Sequence, residues 1–347
     1  MTKKIDVRAL SVDQLRSFFE EIGVAAFRGN QVHEWLWKKG IHGFQEMTNL
    51  PKNLREQLED RFTINHIKID HTQVSSDGTI KNRVNLFDGL SVESVLIPTE
   101  SRTTACVSSQ VGCSLDCSFC ATSRLKRMRN LQPDEIFDQV LSIHQQSIAY
   151  YSRPLSNIVF MGMGEPLMNY NNVIKAIDMI TSPKGLNMSA KRITLSTSGV
   201  SKMIKKMADD EVRFNLAVSL HSAIEETRNK IMPFSKSFPL SELKEALVYW
   251  YKKTGKKITY EYVVWKDIND KQQDIDALLK FCKYVPSKVN LIEYNSIGDE
   301  AFEQASEIAI ESYRQQLEQH QIVVNIRISR GKDIDAACGQ LANKNEQ

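Results

Sequence analysis

The sequence lacks any long apolar run. Its first residues, MTKKIDVRAL, have no stretch like the apolar core of a secretory signal, and no later stretch is long enough to span a bilayer. Neither sign of charge is in large excess, because the formal net charge is +3 over 347 residues, which neither demands nor excludes a nucleic-acid partner. No internal repeat is present. We therefore expect a cytoplasmic protein without membrane contact, long enough for one large α/β domain and a smaller module.

Cysteine is scarce, with six residues in the chain: Cys106, Cys113, Cys117, Cys120, Cys282 and Cys338. In a reducing compartment such a set indicates metal or redox chemistry rather than structural disulfides. Cys113, Cys117 and Cys120 form a C-x3-C-x2-C run, one thiolate short of a closed zinc site or a fully protein-ligated cubane. Buried apolar cysteines or half of a zinc ribbon are the alternatives, but the other cysteines form no second pair. We favour a [4Fe–4S] cluster with one open iron.

Residues 1–75 are predicted to form a small helical module. Ser11 and Gln14 make a capping box ahead of apolar residues at helical spacing. A second helix is predicted over residues 30–39, and a third follows Pro51. The aromatic residues of these helices are expected to pack in the module's core.

Residues 76–102 are predicted to form a β-hairpin extension. The dipeptide Asp88-Gly89 separates two runs of strand-like residues, Ile80–Phe87 and Leu90–Ile97. Asp-Gly between two such runs is a strong short-range hairpin signal.

Residues 103–335 alternate between short apolar strands and helical patterns, which predicts an α/β fold with a parallel sheet. The predicted strands are Ala105–Ser108, Asn157–Met161, Ile193–Ser196, Asn215–Ser219, Ile258–Val264, Val289–Tyr294 and Val323–Ile328, and helices include Pro133–Tyr150, Leu240–Thr254 and Gln304–Gln319. Six such units are two short of a closed (β/α)8 barrel, so we predict a partial (β/α)6 barrel. Residues 336–347 are predicted to be a separate C-terminal segment, with Asn343–Gln347 as a frayed polar tail.

Five ordered motifs resemble the RlmN/Cfr family of radical S-adenosylmethionine (SAM) enzymes, and the similarity runs from near residue 28 to about residue 342. They are CVSSQVGCSLDCSFCAT (Cys106–Thr122), MGMGEPLMNY (Met161–Tyr170), RITLSTSGV (Arg192–Val200), AVSLHS (Ala217–Ser222) and RGKDIDAACGQL (Arg330–Leu341). The resemblance implies a radical SAM barrel and methylation of a ring carbon of adenosine in RNA. It also implies one [4Fe–4S] cluster on Cys113, Cys117 and Cys120, whose open iron takes SAM. The implied SAM contacts are Gly164, Glu165, Ser196, Ser219, Leu220, His221 and Asn295, with Ser198 as a neighbour of Ser196.

The resemblance also implies a covalent mechanism. Cys338 takes a methyl group from one SAM and becomes S-methylcysteine, which suits the chemistry because C2 of adenine is not nucleophilic whereas a thiolate is. A second SAM then supplies the radical that activates this methyl group. Cys106 resolves the resulting protein–RNA adduct through a transient disulfide with Cys338. Glu93, in the family's VE-x-V-x-I-P pattern, is implied as proton acceptor, and Cys106 is the competing base.

The expected substrate is C2 of an adenosine in the peptidyl-transferase loop of 23S rRNA, with an adenosine beside the anticodon of tRNA as a second target. Methylation at C8 is the alternative within the family, and Pro166 favours the C2 branch. The basic residues after two rim loops, and the N-terminal module, are expected to contact RNA: Arg124, Lys126, Arg127, Arg129, Lys202, Lys205 and Lys206. We expect a monomer reduced by a donor such as flavodoxin.

Two other classes share some of these features. A different radical SAM enzyme would need the cysteine triplet and Glu165 but not a Cys106–Cys338 pair. A non-catalytic metal-binding RNA module would need neither SAM cleavage nor Glu165. Methylation of Cys338 separates the first interpretation from both.

Overall fold

The computed structural model describes residues 4–299 and 301–343. Its strands are β1 (Ile5–Asp6), β2 (Phe62–Thr63), β3 (Lys68–Val74), β4 (Ile80–Asn85), β5 (Ser91–Pro98), β6 (Thr103–Cys106), β7 (Gln110–Val111), β8 (Arg129–Asn130), β9 (Asn157–Phe160), β10 (Ile193–Thr197), β11 (Asn215–Ser219), β12 (Ile258–Val263), β13 (Ser287–Ile292) and β14 (Val323–Arg327). Its α-helices are α1 (Val12–Glu21), α2 (Phe27–Glu34), α3 (Lys52–Arg61), α4 (Pro133–Tyr151), α5 (Tyr170–Thr181), α6 (Ser201–Asp209), α7 (Glu225–Ile231), α8 (Leu240–Thr254), α9 (Gln272–Cys282) and α10 (Glu307–Gln319).

The N-terminal module contains the predicted helices α1 to α3. Ser11 accepts a hydrogen bond from the Gln14 amide, and the Gln14 side chain accepts one from Ser11, which confirms the capping box. Helix α2 continues as a π-helical turn over Trp35–Lys39 and ends at Gly40, whose φ of 65° is easily reached without a side chain.

The prediction of a helical module up to residue 75 is wrong for its last part. Residues 68–74 form β3, which pairs antiparallel with β4. The signal was present in the sequence, because Asp77-Gly78 is a second Asp-Gly turn and Gly78 has a φ of 84°. The turn folds β3 onto β4, so the extension has three strands rather than two.

The predicted hairpin of β4 and β5 is confirmed, and it extends the main sheet. Within the described residues, ten strands follow the order β14-β13-β12-β11-β10-β9-β6-β5-β4-β3. From β6 to β14 every neighbouring pair is parallel, whereas β3, β4, β5 and β6 pair antiparallel. The seven predicted barrel strands are therefore all present and joined by six crossovers, which gives the expected open, partial barrel.

The parallel strands place their carboxyl ends at one edge of the sheet, and the loops that follow β9, β10, β11 and β13 line a shared cavity there. Helix α10 begins at Glu307, three residues later than predicted, because Ser306 caps it. The tail prediction falls partly outside the described residues, which end at Asn343. No helix of the described segments has the length and apolarity that crossing a bilayer requires.

Candidate active site

The three clustered cysteines lie in a loop between β7 and β8. This loop is docked on the region around α7: the Ser118 amide donates to the Ile231 carbonyl over 3.0 Å, and the Asp116 carboxylate accepts from the Phe234 amide over 2.9 Å. Cys117 is buried, whereas Cys113 and Cys120 are partly exposed. All three face one cavity.

Burial and the neighbouring thiols favour the neutral form of Cys113 and Cys117. Burial raises the pKa of Cys113 to about 11 and raises that of Cys117 well above its ordinary value, and the neighbouring thiols add to both effects. The charge of Arg228 opposes these effects at Cys117, because it lowers the pKa of that thiol. A strongly cationic group is therefore required before the three sulfurs can act together as thiolates.

The cavity brings together most of the residues predicted to form the site. Its lining includes Cys113, Cys117, Cys120, Gly164, Glu165, Ser196, Ser198, Ser219, His221, Asn295 and Cys338. Leu220, Cys106 and Glu93 are not part of this lining. The Leu220 side chain is fully buried in the hydrophobic core, so its backbone alone is available near the cavity.

Glu165 is fixed at the end of β9 by backbone donors. Its carboxylate accepts from the Leu167 amide over 3.1 Å and from the Ser198 amide over 2.8 Å. Burial raises its pKa, and these hydrogen bonds partly offset that effect. The carboxylate keeps free lone pairs toward the cavity, which suits it to accept from a ligand ammonium group.

The glycines before Glu165 are needed for a close backbone approach to protein rather than to a ligand. A Cβ on Gly164 would lie 2.5 Å from the Cβ of Gln110, and the φ of Gly164 is +92°. A Cβ on Gly162 would lie 2.7 Å from the Val107 carbonyl. The Gln110 side chain also accepts from the Glu165 amide, so this contact sets the position of Glu165.

His221 is a buried, neutral donor. Burial and then the charge of Arg228 lower its pKa to about 3. Its Nδ1 accepts from the Val263 amide over 3.2 Å, so the proton of the neutral ring lies on Nε2. Nε2–H is then a hydrogen-bond donor, and His221 lines the cavity.

Asn295 offers an unsatisfied acceptor to the cavity. Its Nδ2 donates to the carbonyls of Glu293 and Cys338 over 3.2 and 3.3 Å. Its Oδ1 is buried without a partner. A buried amide oxygen without a donor is costly, so this atom fits a polar ligand.

The segment that carries Cys338 is packed against the rest of the protein. Ala336 and Ala337, which precede the cysteine, are both buried. The Gln340 side chain closes the turn, accepting from the Ala337 amide and donating to the Ser296 carbonyl. Cys338 is nevertheless exposed, and because it lines the cavity its free surface faces that enclosed space.

Cys106 lies at the end of β6, outside the cavity lining. Burial raises its pKa to about 12, with a further contribution from Cys338 that Arg327 opposes. Arg327 also lowers the pKa of Cys338, which burial raises. One guanidinium therefore influences both thiols, and it is held by the buried carboxylate of Glu261 at 3.1 Å.

Glu93 is buried, not on a solvent-exposed face of the strand. Its carboxylate faces Lys81, itself buried, at 3.6 Å. The same carboxylate accepts from the amides of Ala342 and Asn343 over 2.8 and 3.1 Å. In this conformation Glu93 anchors the chain just beyond Cys338. It also holds down the first residue of the predicted frayed tail.

Two of the four basic residues near the cysteine loop form ion pairs within the protein. Arg124 pairs with Asp299 at 2.6 Å, and Arg129 pairs with Asp88 and Glu135. Both remaining side chains, Lys126 and Arg127, are exposed.

Two family models match the chain. The ribosomal RNA large subunit methyltransferase N-terminal domain matches residues 5–64, and the radical SAM superfamily matches residues 107–282. The chain is 72% identical over 342 residues to a probable dual-specificity RNA methyltransferase RlmN of Flavobacterium psychrophilum, and the match covers 99% of each. It is 40% identical over 344 residues to the dual-specificity RNA methyltransferase RlmN of Pelobacter propionicus, covering 99% of the chain and 97% of that protein.

A solved structure agrees with these sequence matches. The fold is similar to that of a radical SAM methyltransferase from Sphaerobacter thermophilus, with a TM-score of 0.91 and 35% identity, covering 97% of this chain and 99% of that one. The chain belongs to the RlmN family. RlmN-family enzymes are radical SAM methyltransferases, and their cofactors are a [4Fe–4S] cluster and SAM.

The cysteine loop of this RlmN-family chain fits such a cluster. Among the described residues, no three His, Cys, Asp or Glu side chains are grouped closely enough to hold one metal ion. A cubane does not need that arrangement, because each thiolate binds a different iron. Three neighbouring, partly buried thiols around a shared cavity therefore suit a cluster better than a single zinc ion.

Several residues of the site were missed from sequence. Arg228, Glu261 and Arg327 were not identified, and Lys81 was not recognised as the partner of Glu93. Glu261 had a usable signal, since a carboxylate in the apolar strand ITYEYV must be paired or functional. Arg228, in an ordinary charged helix, had none.

Proposed function

We propose that this enzyme methylates C2 of adenosine in 23S rRNA and in tRNA, with Cys338 as methyl carrier. The observation that carries the proposal is that Cys338 faces the same cavity as Cys113, Cys117 and Cys120. A carrier thiol must meet both the methyl donor and the source of the radical, and a shared cavity permits this. The relatives named dual-specificity RNA methyltransferases support both RNA classes as substrates.

In this proposal Cys113, Cys117 and Cys120 hold the cluster, which together with SAM supplies the radical chemistry. Glu165 accepts from the SAM ammonium group, and the Asn295 Oδ1 accepts a second donor. The His221 Nε2–H, the hydroxyls of Ser196, Ser198 and Ser219, and the Gly164 backbone complete the polar lining. Leu220, which lies outside this lining, is a proposed contact through its backbone alone.

The residue chemistry begins at Cys338. Its thiolate attacks the SAM methyl carbon, forming an Sγ–C bond as the sulfonium C–S bond breaks and S-adenosylhomocysteine leaves. Arg327 favours this step because its charge stabilises the thiolate. Once the activated carbon has joined the base and the C2 proton has been removed, the Cys106 thiolate attacks the Cys338 sulfur. The S–S bond forms as the bond between Cys338 Sγ and the methylene carbon breaks, and the electron pair leaves with that carbon, which takes up a proton to become the methyl group on the base.

Removal of the C2 proton has two candidate bases, Glu93 and Cys106. Neither lines the cavity in this conformation, and Glu93 is occupied by Lys81 and the chain after Cys338. Glu93 as proton acceptor therefore requires release of the C-terminal segment. Cys106 requires only a shift of its thiol, although burial disfavours its charged form.

RNA is proposed to approach across the loops beside the cavity. Lys126 and Arg127 are exposed next to the cysteine loop, and the exposed cation Lys202 lies at the start of α6. The target base must leave its stack to reach Cys338, which favours an unpaired nucleotide. The N-terminal module is a second proposed contact. We further propose that the enzyme is cytoplasmic and monomeric, and that a flavodoxin-type protein reduces it.

An anaerobic methylation assay tests this proposal. Unmodified 23S rRNA fragments and tRNA transcripts are incubated with reconstituted enzyme, reductant and isotope-labelled SAM, and digested nucleosides are then identified by mass spectrometry. We expect labelled 2-methyladenosine from the native enzyme and none from Cys338→Ala with its iron content unchanged. Cys282→Ala, at a buried cysteine outside the cavity, is the matched control and should retain activity. Labelled 8-methyladenosine would instead assign the C8 reaction, and full activity in Cys338→Ala would disprove the carrier.

The resolving role of Cys106 is tested separately. Cys106→Ala should accumulate a covalent protein–RNA adduct, visible as a retarded band on a denaturing gel. Rapid release of methylated RNA by this variant, without an adduct, would remove Cys106 from the mechanism.

A further inference from the structure

Arg228 is a buried cation with an incomplete set of partners. The residue is fully buried on α7, where a charged side chain is costly unless it is paired. Its Nε donates to the Leu220 carbonyl over 3.3 Å, and its Nη2 donates to the Ser198 carbonyl over 2.6 Å. Its Nη1 is buried with no hydrogen-bond partner. The partners it has are neutral carbonyls.

The position of Arg228 connects three parts of the site. Its two carbonyl partners belong to the loops after β10 and β11, both of which line the cavity. The end of its own helix accepts from the Ser118 amide of the cysteine loop through Ile231. The hydrogen bonds to these two loops hold the Arg228 side chain in place, so it has little freedom to move its charge away from the site.

The cysteine loop packs on the end of the helix that carries Arg228, because Cys117 is buried in one apolar cluster with Ile231 and Met232. Burial lowers the pKa of Arg228 to about 10, and Cys117 is the first group that acts in the opposite direction. The side chain therefore remains protonated at neutral pH. Glu225 also raises the pKa of Arg228, but less strongly than Cys117 does. Its carboxylate accepts a hydrogen bond from the Leu240 amide.

We propose that Arg228 is the fixed counter-charge of the iron–sulfur cluster and that it raises the cluster's reduction potential. This inference rests on the proposed cluster ligands, Cys113, Cys117 and Cys120. A cluster with three thiolates becomes more negative when it takes up an electron, and a buried positive charge beside Cys117 favours that reduced form. Arg228 is in this sense a positioning and electrostatic residue, because it acts through the cluster.

Redox titration of two variants separates the effect of the Arg228 charge from the effect of its two hydrogen bonds. Arg228→Gln removes the charge, whereas Arg228→Lys keeps it but cannot reach both carbonyls. The midpoint potential of the reconstituted cluster is measured anaerobically by electron paramagnetic resonance, beside iron content. We expect Arg228→Gln to show about a tenfold smaller ratio of reduced to oxidised cluster at a fixed potential, which equals a midpoint potential about 59 mV lower. Arg228→Lys should stay within about threefold of the native ratio. Arg314→Gln, the same charge change at a partly exposed side chain of α10, should leave the potential unchanged.

The possible outcomes each decide the proposal. A fully loaded Arg228→Gln protein with the native potential would overturn it. If Arg228→Gln holds no cluster, Arg228→Lys decides: near-native iron and potential support the counter-charge, and failure to load iron overturns it. Failure of the native protein to take up iron would instead disprove the proposed cluster ligands.

Discussion

Cys338, Cys106 and Cys282 show how the surroundings of a thiol limit its chemistry. Burial raises the pKa of both Cys106 and Cys282 to about 12, so each is a poor nucleophile at neutral pH. Cys338 is also shifted upward by burial, but it has an exposed surface toward the cavity and the opposing charge of Arg327. The charge of Arg327 also acts on Cys106, so accessibility to the cavity is what distinguishes the proposed carrier.

Arg327→Met should therefore slow alkylation of Cys338. Removal of the guanidinium leaves burial unopposed, so the thiolate fraction of Cys338 falls. We expect the rate of iodoacetamide modification of Cys338, followed by peptide mass spectrometry in cluster-free protein, to drop about threefold to tenfold. Exposed Arg102→Met is the control. An unchanged rate would show that Arg327 does not activate this thiol.

His221 makes the stability of the fold depend on pH. Its pKa in the folded chain, lowered by burial and by Arg228 to about 3, is below the 6.5 of the unfolded chain. Between these values the unfolded state binds the extra proton, so stability falls as pH falls through that window. We expect a loss of about 2 kcal/mol at pH 5 that His221→Gln lacks. Urea unfolding at pH 7 and pH 5 measures it, with exposed His320→Gln as control. Equal pH slopes for native protein and His221→Gln would contradict the buried neutral ring.

Gly164→Ala tests the close approach that positions Glu165. The added methyl group would meet Gln110 at 2.5 Å in a backbone with φ of +92°. Gly89→Ala is a matched control, because Gly89 has a φ of +82° with no atom within 4 Å of the added carbon. We expect Gly164→Ala to cost about 1–3 kcal/mol more than Gly89→Ala in urea unfolding, from overpacking. Equal costs would mean that the contact with Gln110 relaxes freely.

At the scale of elements, the C-terminal segment is held by one of its own side chains and by a side chain from a distant strand. Gln340 closes the turn around Cys338, and Glu93 on β5 binds the amides beyond it. Gln340→Ala should raise the amide exchange of residues 336–342 about tenfold, since one or two hydrogen bonds are lost. Hydrogen–deuterium exchange of that peptide, compared with Gln319→Ala on α10, measures the effect. Unchanged exchange would mean that the turn is held by its backbone alone.

Periodic apolar patterns predicted most of the helices and strands. The features that they did not predict depend on pairing between distant elements. The capping box of Ser11 and the hairpin at Asp88-Gly89 rest on local chemistry, so the sequence predicted them correctly. Strand β3 was missed because most of its residues are polar and exposed, so no alternating apolar face marks it in the sequence. The burial of Glu93 could not be predicted, because its partner Lys81 on the neighbouring strand cannot be recognised from spacing.

At the scale of the whole molecule, the site is assembled from strand ends that lie far apart in the chain. Cysteine spacing predicted the cluster ligands, and the resemblance to the RlmN/Cfr family predicted the other site residues; ten of these thirteen residues line the cavity. The burial of Arg228 and the pairing of Glu261 with Arg327 could not be predicted from sequence, since they depend on the fold and on a partner from another strand. A buried charge is visible only once the fold is known.

Mass spectrometry of the Cys338 peptide tests the central claim most directly. Protein expressed with its cluster intact is purified anaerobically and digested, and the peptide that contains Ala336-Ala337-Cys338 is examined. A carrier that takes a methyl group from SAM predicts a mass increase of one methyl group on Cys338 and none on Cys282. An unmodified Cys338 in protein that has a full cluster and has been exposed to SAM would contradict the account.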